Sequence, residues 1–334
     1  MDIYGAVLCA GYGTRMRPLT EVVPKPLLPF LNTPIITYGL HLLSEAGINR
    51  VALNLHHLAD TIPPVVDLLA PHFGVHPVYS REWEVLGTAG GIAGMWQALG
   101  RPSGTLVVLN GDSVTDVELA PLVERHRASG ATVSLVVREK TDGQPGRVFL
   151  GQDGRLNGIR GFRRPNQSMQ TEVEFTGIHL LESSALERLE VEPGDIVDEL
   201  YGPMVSADEP IMALSADGFW AALDTPRLLF DTSVRVMNDP TCFRLAPLSE
   251  ETSKLWFHGA QGIADSATFS APVFVGMNVE IGEGAKIGPN VVLDGVRVAA
   301  GTRIENAIIY GAGTIEGEWR NVMTVAGRTA TIPD

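Results

Sequence analysis

The chain has 334 residues, 45% of them apolar and 19% charged, proportions of a globular protein with material for two domains of ~100–200 residues each. Thirty-nine acids against 25 bases leave a formal charge of −14. That disfavours non-specific attachment to nucleic acid or an acidic membrane, so any anionic ligand must be held by a few local cations and backbone amides. Two cysteines, Cys9 and Cys242, are too few for a disulfide framework. There is no basic leader, and no apolar run approaches the ~20 residues of a membrane span, so a soluble cytoplasmic protein is expected.

Up to residue 140, short β-rich runs alternate with helical patterns. Strands are expected at 3–9, 50–54, 75–79, 105–109 and 132–138, with helices at 34–46, 58–69, 88–99 and 118–129. Strands apolar nearly throughout are buried on both faces, which predicts a doubly wound, mostly parallel α/β sheet of Rossmann-like type. Ligands of such sheets sit beyond the carboxyl ends of the strands, which directs attention to the residues after Cys9 and Leu109. From 141 to 240 glycines and prolines punctuate short strands, and 225–237 reads as a closing helix.

The last part has a different period. Apolar residues recur every six positions at Phe269, Val275, Ile281, Ile287 and Leu293, then after one five-residue step at Val298, Ile304 and Tyr310. A six-residue repeat is the signature of a β-helix, with each anchor pointing inward. Between two and three coils are expected. The resulting division is a domain at 1–240, a linker at 241–262 and a hexapeptide-repeat domain at 263–334.

The run Leu8-Cys9-Ala10-Gly11-Tyr12-Gly13-Thr14-Arg15-Met16-Arg17-Pro18-Leu19-Thr20 leaves the first expected strand. Gly11 and Gly13 let backbone amides curl around an anion, and Arg15 offers a fork of donors suited to phosphate. It is not a dinucleotide fingerprint, because the third glycine falls at Met16, and no Gly-Lys-Ser/Thr follows to make a P-loop. Lys25 is one of only four lysines and lies between Pro24 and Pro26. A compact ammonium can sit between two phosphates where a planar guanidinium cannot. Asp112 follows an apolar strand, and Asp224 precedes a helix start at Thr225-Pro226. Taken singly, either aspartate could be a cap or turn former. His56 and His57, adjacent on a strand end, point in opposite directions and lack a partner at ligand spacing.

These motifs together resemble the sugar-1-phosphate nucleotidyltransferases, or NDP-sugar pyrophosphorylases. The resemblance covers most of residues 3–238 and includes Leu86-Gly87-Thr88-Ala89-Gly90, Val108-Leu109-Asn110-Gly111-Asp112, Phe175-Thr176-Gly177-Ile178 and Phe219-Trp220 through Pro226. A hexapeptide tail, left-handed in that family, is common among its mannose-1-phosphate guanylyltransferases. The resemblance implies transfer of a nucleotidyl group from an NTP to a sugar 1-phosphate, with Mg²⁺ as cofactor. Leu8, Ala10, Gly11, Gly13, Thr14, Arg15, Gly87 and Thr88 would contact the nucleotide. Arg15, Lys25 and Asp112 would be catalytic, and Asp112 and Asp224 would hold the metal. Asn110, Gly146, Arg164, Thr176 and Gly177 would line the sugar-phosphate side.

Four positions depart from the family pattern. Arg163 and Arg164 replace its Glu-Lys pair, Pro145 stands for a tyrosine and Phe175 for an asparagine. GTP with mannose 1-phosphate is the first reading of the substrates, feeding cell-surface polysaccharide synthesis, and UTP the alternative. A non-catalytic subunit that binds an NDP-sugar is a reading of another class, against which Arg15, Lys25, Asp112 and Asp224 are all retained. An acyltransferase tail is disfavoured, since no histidine follows His258. Exposed β-helix edges invite pairing, so a homo-oligomer formed through the tail is expected.

Overall fold

Buried apolar runs become parallel strands in the first of two units into which the chain divides. The computed structural model describes residues 2–140, 148–168, 171–248 and 253–333. One unit comprises Met1–Gly11, Gly39–Gly111 and Val117–Trp220; the other comprises Tyr12–Tyr38, Asp112–Asp116 and Ala221–Asp334.

In the first unit, strand Ile3–Leu8 pairs in parallel with Arg50–Leu55 on one side and Thr105–Asn110 on the other. His76–Arg81 extends the sheet in parallel beyond Arg50–Leu55. The chain thus leaves the first strand in one direction and returns on its opposite flank. That reversal is the topological switch point at which α/β sheets bind ligands. Helices Ile62–Leu69, Gly87–Ala98 and Leu119–Ser129 lie between the strands in sequence, as expected. Regular helix begins at Ile62 rather than 58, because Pro63 and Pro64 lack amide hydrogens and fit only a first turn.

The segment after residue 140 enters the same sheet antiparallel. Thr171–Glu182 pairs with Thr105–Asn110, Val133–Glu139 and Val148–Leu150, while Ile211–Ser215 adds a parallel strand beside Val133–Glu139. The sheet is therefore mixed, though its switch-point half is parallel throughout. Leu53, Val107, Val108, Leu135 and Leu181 are among its fully buried side chains.

The second unit contains parallel ladders whose interval follows the repeat. Leu255 pairs with Val273, and Val273 with Val291, 18 positions apart and equal to three hexapeptides. The interval shortens to 17 between Glu280 and Arg297, where the sequence takes its five-residue step. It becomes 16 between Val291 and Ala307, then 15 between Arg303 and Glu318. Val275, Ile281, Ile287, Leu293, Val298, Ile304 and Tyr310 are buried; Phe269 is half-buried with its ring edge-on to Phe257. Strand Leu255–Phe257 falls within the 241–262 segment and Gly262–Ile263 straddles its end, and both pair into this ladder. At the far end Arg328–Thr331 turns back antiparallel onto Glu318–Val325. No helix among the described residues is long and apolar enough to cross a membrane.

Candidate active site

Four charged side chains predicted from the sequence meet in the second unit. Lys25 Nζ donates to Asp112 Oδ2 at 2.7 Å and to Asp224 Oδ1 at 2.6 Å. Arg15 Nη2 lies 3.0 Å from the other oxygen of Asp224. Local structure explains the meeting. Gly13 adopts φ +59°, and a Cβ there would stand 2.9 Å from Thr20 Cγ2 and 3.3 Å from the Lys25 Cβ. The Thr20 hydroxyl donates to the Gly13 carbonyl at 2.9 Å. The glycine turn and the lysine stem are therefore packed as one piece, and only glycine fits both the space and the backbone. The prolines around Lys25 start a 3-10 turn, Lys25–Leu27.

Asp112 and Asp224 are aligned by the main chain, since the Leu223 N–H donates to the Asp112 carbonyl at 3.0 Å. Thr225 caps helix Pro226–Asn238 by accepting from the Leu228 N–H at 3.1 Å, which fixes the residue after Asp224. Lys25 is buried while its partner Asp112 remains 37% exposed, and Arg15, on the far oxygen of Asp224, 66% exposed. An ammonium taken out of water needs opposite charge close by, and here two carboxylates supply it. Among the described residues no three or more His, Cys, Asp or Glu side chains group as metal ligands. Two carboxylates spaced to share one cation fit an ion that completes its shell with phosphate and water, as Mg²⁺ does.

In the first unit the carboxyl end of Ile3–Leu8 is tied by polar bonds. The Cys9 N–H donates to Asn54 Oδ1 at 2.6 Å, and Asn54 Nδ2 donates to Glu82 Oε1 at 2.7 Å. Glu82 Oε2 accepts the Leu86 N–H at 3.0 Å. Cys9 is buried, as a small core residue should be. Leu8 is half-buried, Ala10 buried and Gly11 exposed, so this stretch passes from core to surface in four residues.

Gly87 is one of the expected nucleotide contacts. It has φ +67°, and a Cβ would stand 2.4 Å from the Gly194 carbonyl oxygen, so a crossing main chain fills the room. The Ala89 N–H donates to that oxygen, and Thr88 Oγ1 accepts the Ile196 N–H at 2.8 Å. Asn110 and Gly177 come together: a Cβ on Gly177 would lie 2.3 Å from Asn110 Nδ2. The Thr176 hydroxyl is buried and donates to the Val136 carbonyl at 2.8 Å, which turns it inward.

Arg164 departs most from expectation. Its Nε donates to Asp208 Oδ1 at 2.6 Å and its Nη1 to Asp153 Oδ2 at 2.7 Å, leaving its side chain 10% exposed. These contacts push its own pKa up and hold both carboxyls below the usual range. A sugar phosphate would have to displace an acid from it, so the structure gives this guanidinium an internal ion-pair role. Arg163 donates to the Arg160 and Phe162 carbonyls and lies over the Phe149 ring. Gly146 and Pro145 lie outside the described residues.

Sequence reasoning also missed a contact on the Lys25 segment. At the tip of the Pro29–Phe30/Thr33–Pro34 hairpin, the Asn32 N–H donates to the Tyr310 hydroxyl at 2.9 Å, and its Nδ2 donates to Asp294 Oδ1 at 3.0 Å. Burial raises the Asp294 carboxyl, partly offset by that amide. Asn32 has φ +68°. A Leu-Asn pair at a two-residue turn was the available signal.

The sequence profile of the family described as "Nucleotidyl transferase" matches residues 4–237. A probable mannose-1-phosphate guanylyltransferase 3 of Oryza sativa subsp. japonica is 28% identical over 335 residues, covering 98% of this chain and 92% of the relative. The mannose-1-phosphate guanylyltransferase catalytic subunit beta of Drosophila pseudoobscura pseudoobscura is 30% identical over 282 residues, covering 84% of this chain and 71% of the relative. Among solved structures, a UDP-glucose pyrophosphorylase from Acinetobacter baumanii aligns with a TM-score of 0.59 and 18% identity, covering 72% of this chain and 96% of that one; at this identity the likeness concerns the fold. The motifs from Gly11 to Asp224, the switch-point sheet and these matches agree: the chain belongs to the nucleotidyl transferase family and is a sugar-1-phosphate nucleotidyltransferase.

Proposed function

We propose that this enzyme joins GTP and mannose 1-phosphate into GDP-mannose and pyrophosphate. An oxygen of the sugar phosphate attacks the α-phosphorus of the nucleotide, the bond to the β-phosphate breaks, and pyrophosphate takes the electron pair. The nucleophile is already anionic, so the protein needs no general base; its task is positioning and neutralising charge. The observation that carries the reading is Lys25 bridging Asp112 and Asp224, with Arg15 alongside.

An ammonium has three N–H donors, and two of Lys25's are used on carboxylates, which leaves one for a phosphate oxygen. Arg15 uses one edge on Asp224 and offers the rest of its fork to the leaving phosphates. Mg²⁺, when held by Asp112 and Asp224, supplies charge neutralisation for the phosphates. The main chain of residues 10–13, with Leu8 and Thr14, serves the nucleotide, and Gly87 and Thr88 shape its surroundings through their crossing with residues 194–196. Asn110 and Gly177 serve the sugar phosphate.

We further read the C-terminal ladder as a left-handed β-helix that supports a homo-oligomer, and we place the protein in the cytoplasm, consistent with two free thiols among the described residues. The test is a panel of four NTPs against glucose, mannose, N-acetylglucosamine and N-acetylmuramate 1-phosphates, read by pyrophosphate release. GTP with mannose 1-phosphate is expected to lead by at least about ten-fold, the scale of one strong polar contact. A lead for UTP would move the base assignment, and no release from any pair would overturn the reading.

A further inference from the structure

A cavity of about 560 Å³ in the second unit is lined by Arg15, Arg17, Thr225 and Arg227, and by Thr329, Thr331 and Pro333 of the last described segment. Neither Lys25, Asp112 nor Asp224 lines it. Three guanidiniums converge on this one hollow in a chain whose formal charge is −14. Arg15 belongs to the cluster described above. Among the described residues Arg17 has no ion-pair partner, and it is exposed. Arg227 is held in place: its Nε donates to Asp231 Oδ2 at 2.6 Å and its Nη1 to the Pro333 carbonyl at 2.7 Å.

We propose that Arg17 and Arg227, with Arg15 at the inner edge, form a second anion site that takes a compact diphosphate. Arg227 is paired with Asp231 and Arg15 with Asp224, each through one edge, so Arg17 carries the uncompensated charge of the hollow and a multivalent anion there can accept from it and from the N–H groups that the two pairs leave unused. The chemistry of the wall fits charge rather than a base. It consists of arginine, threonine, proline and alanine, with no aromatic ring on which a purine could stack. Pro333 takes part, since the Arg227 fork is braced on its carbonyl. Arg15 reaches both this hollow and Asp224, so an anion bound here competes with Asp224 for the same guanidinium. That coupling rests on the role proposed for Arg15; the site itself does not.

The test is calorimetric titration of the whole protein with inorganic pyrophosphate at low salt, without divalent metal, and with GTP present to fill the catalytic centre. The wild type is expected to bind pyrophosphate, and Arg17→Ala/Arg227→Ala to bind it at least ten-fold more weakly with an unchanged melting temperature. GDP should bind no more tightly than pyrophosphate. Equal affinity in the double variant, no binding by the wild type, or a clear preference for GDP would each overturn the proposal. Turnover adds a separate arm. The double variant should keep its kcat and lose the component of pyrophosphate inhibition that GTP cannot relieve. If the protein shows no turnover at all, the catalytic reading fails while the titration still decides the site.

Discussion

Glu82 and the Asp112/Asp224 pair are carboxylates near the ends of strands, yet they are satisfied in opposite ways. Glu82 is 5% exposed and is clamped by neutral donors, the Asn54 amide and the Leu86 N–H. Asp112 and Asp224 share the Lys25 ammonium, and Asp224 also meets Arg15. Amide donors are fixed in the chain and cannot be exchanged for anything else. Cations can be exchanged for other cations, so a carboxylate satisfied by charge stays open to chemistry. One arrangement is a strut and the other a working centre.

Substitutions separate the two. Asp112→Asn keeps an oxygen acceptor for Lys25 but removes the charge, so turnover should fall by roughly 10²–10³ or more with the fold intact. Pyrophosphate release and circular dichroism check the two halves of that statement. Lys25→Ala leaves two carboxylates facing each other; turnover should drop by about 10², and added Mg²⁺ should raise its melting temperature more than it raises that of the wild type. Glu82→Ala reverses the pattern. With two buried donors unmet, stability should fall by about 3 kcal/mol in urea titration, and the material that remains folded should still turn over.

A smaller effect concerns pH. His179 is fully enclosed, with Nδ1 2.6 Å from the Tyr201 hydroxyl, and burial lowers its pKa to about 3. The unfolded chain protonates near the ordinary imidazole value of about 6.5. The stabilisation is therefore complete above that value and is lost progressively as pH falls toward 3, at about 1.4 kcal/mol per unit. Between pH 7 and 5 the wild type should lose about 2 kcal/mol from this group, and His179→Gln should lose correspondingly less. The smallest change is Thr225→Ala, which removes a helix cap worth about 1 kcal/mol and should lower the melting temperature slightly.

Much of this was legible in the sequence where one residue's chemistry depends on its near neighbours. Runs such as 105–109 are apolar on both faces and could only be interior strands, and the five-residue step after Leu293 falls where the ladder interval shortens to 17. The cluster was legible through its motifs, since the Gly13 turn, the prolines around Lys25 and the Thr225-Pro226 start each hold one member locally. What escaped was decided by distant pairings. Nothing near Arg164 announces Asp208, 44 positions away, and nothing near Gly87 announces the carbonyl of Gly194. The first rung of the ladder, Leu255–Phe257, falls in the expected linker even though Phe257 and Ile263 carry the six-residue spacing back from Phe269; both side chains are exposed rather than interior.

The bond from the Leu223 N–H to the Asp112 carbonyl joins two stretches of backbone, not two side chains. Whatever replaces either aspartate, the frame that presents positions 112 and 224 stays in register. The donors at these positions can therefore be rewritten, by evolution or by design, with new reactivity sought on an unmoved scaffold.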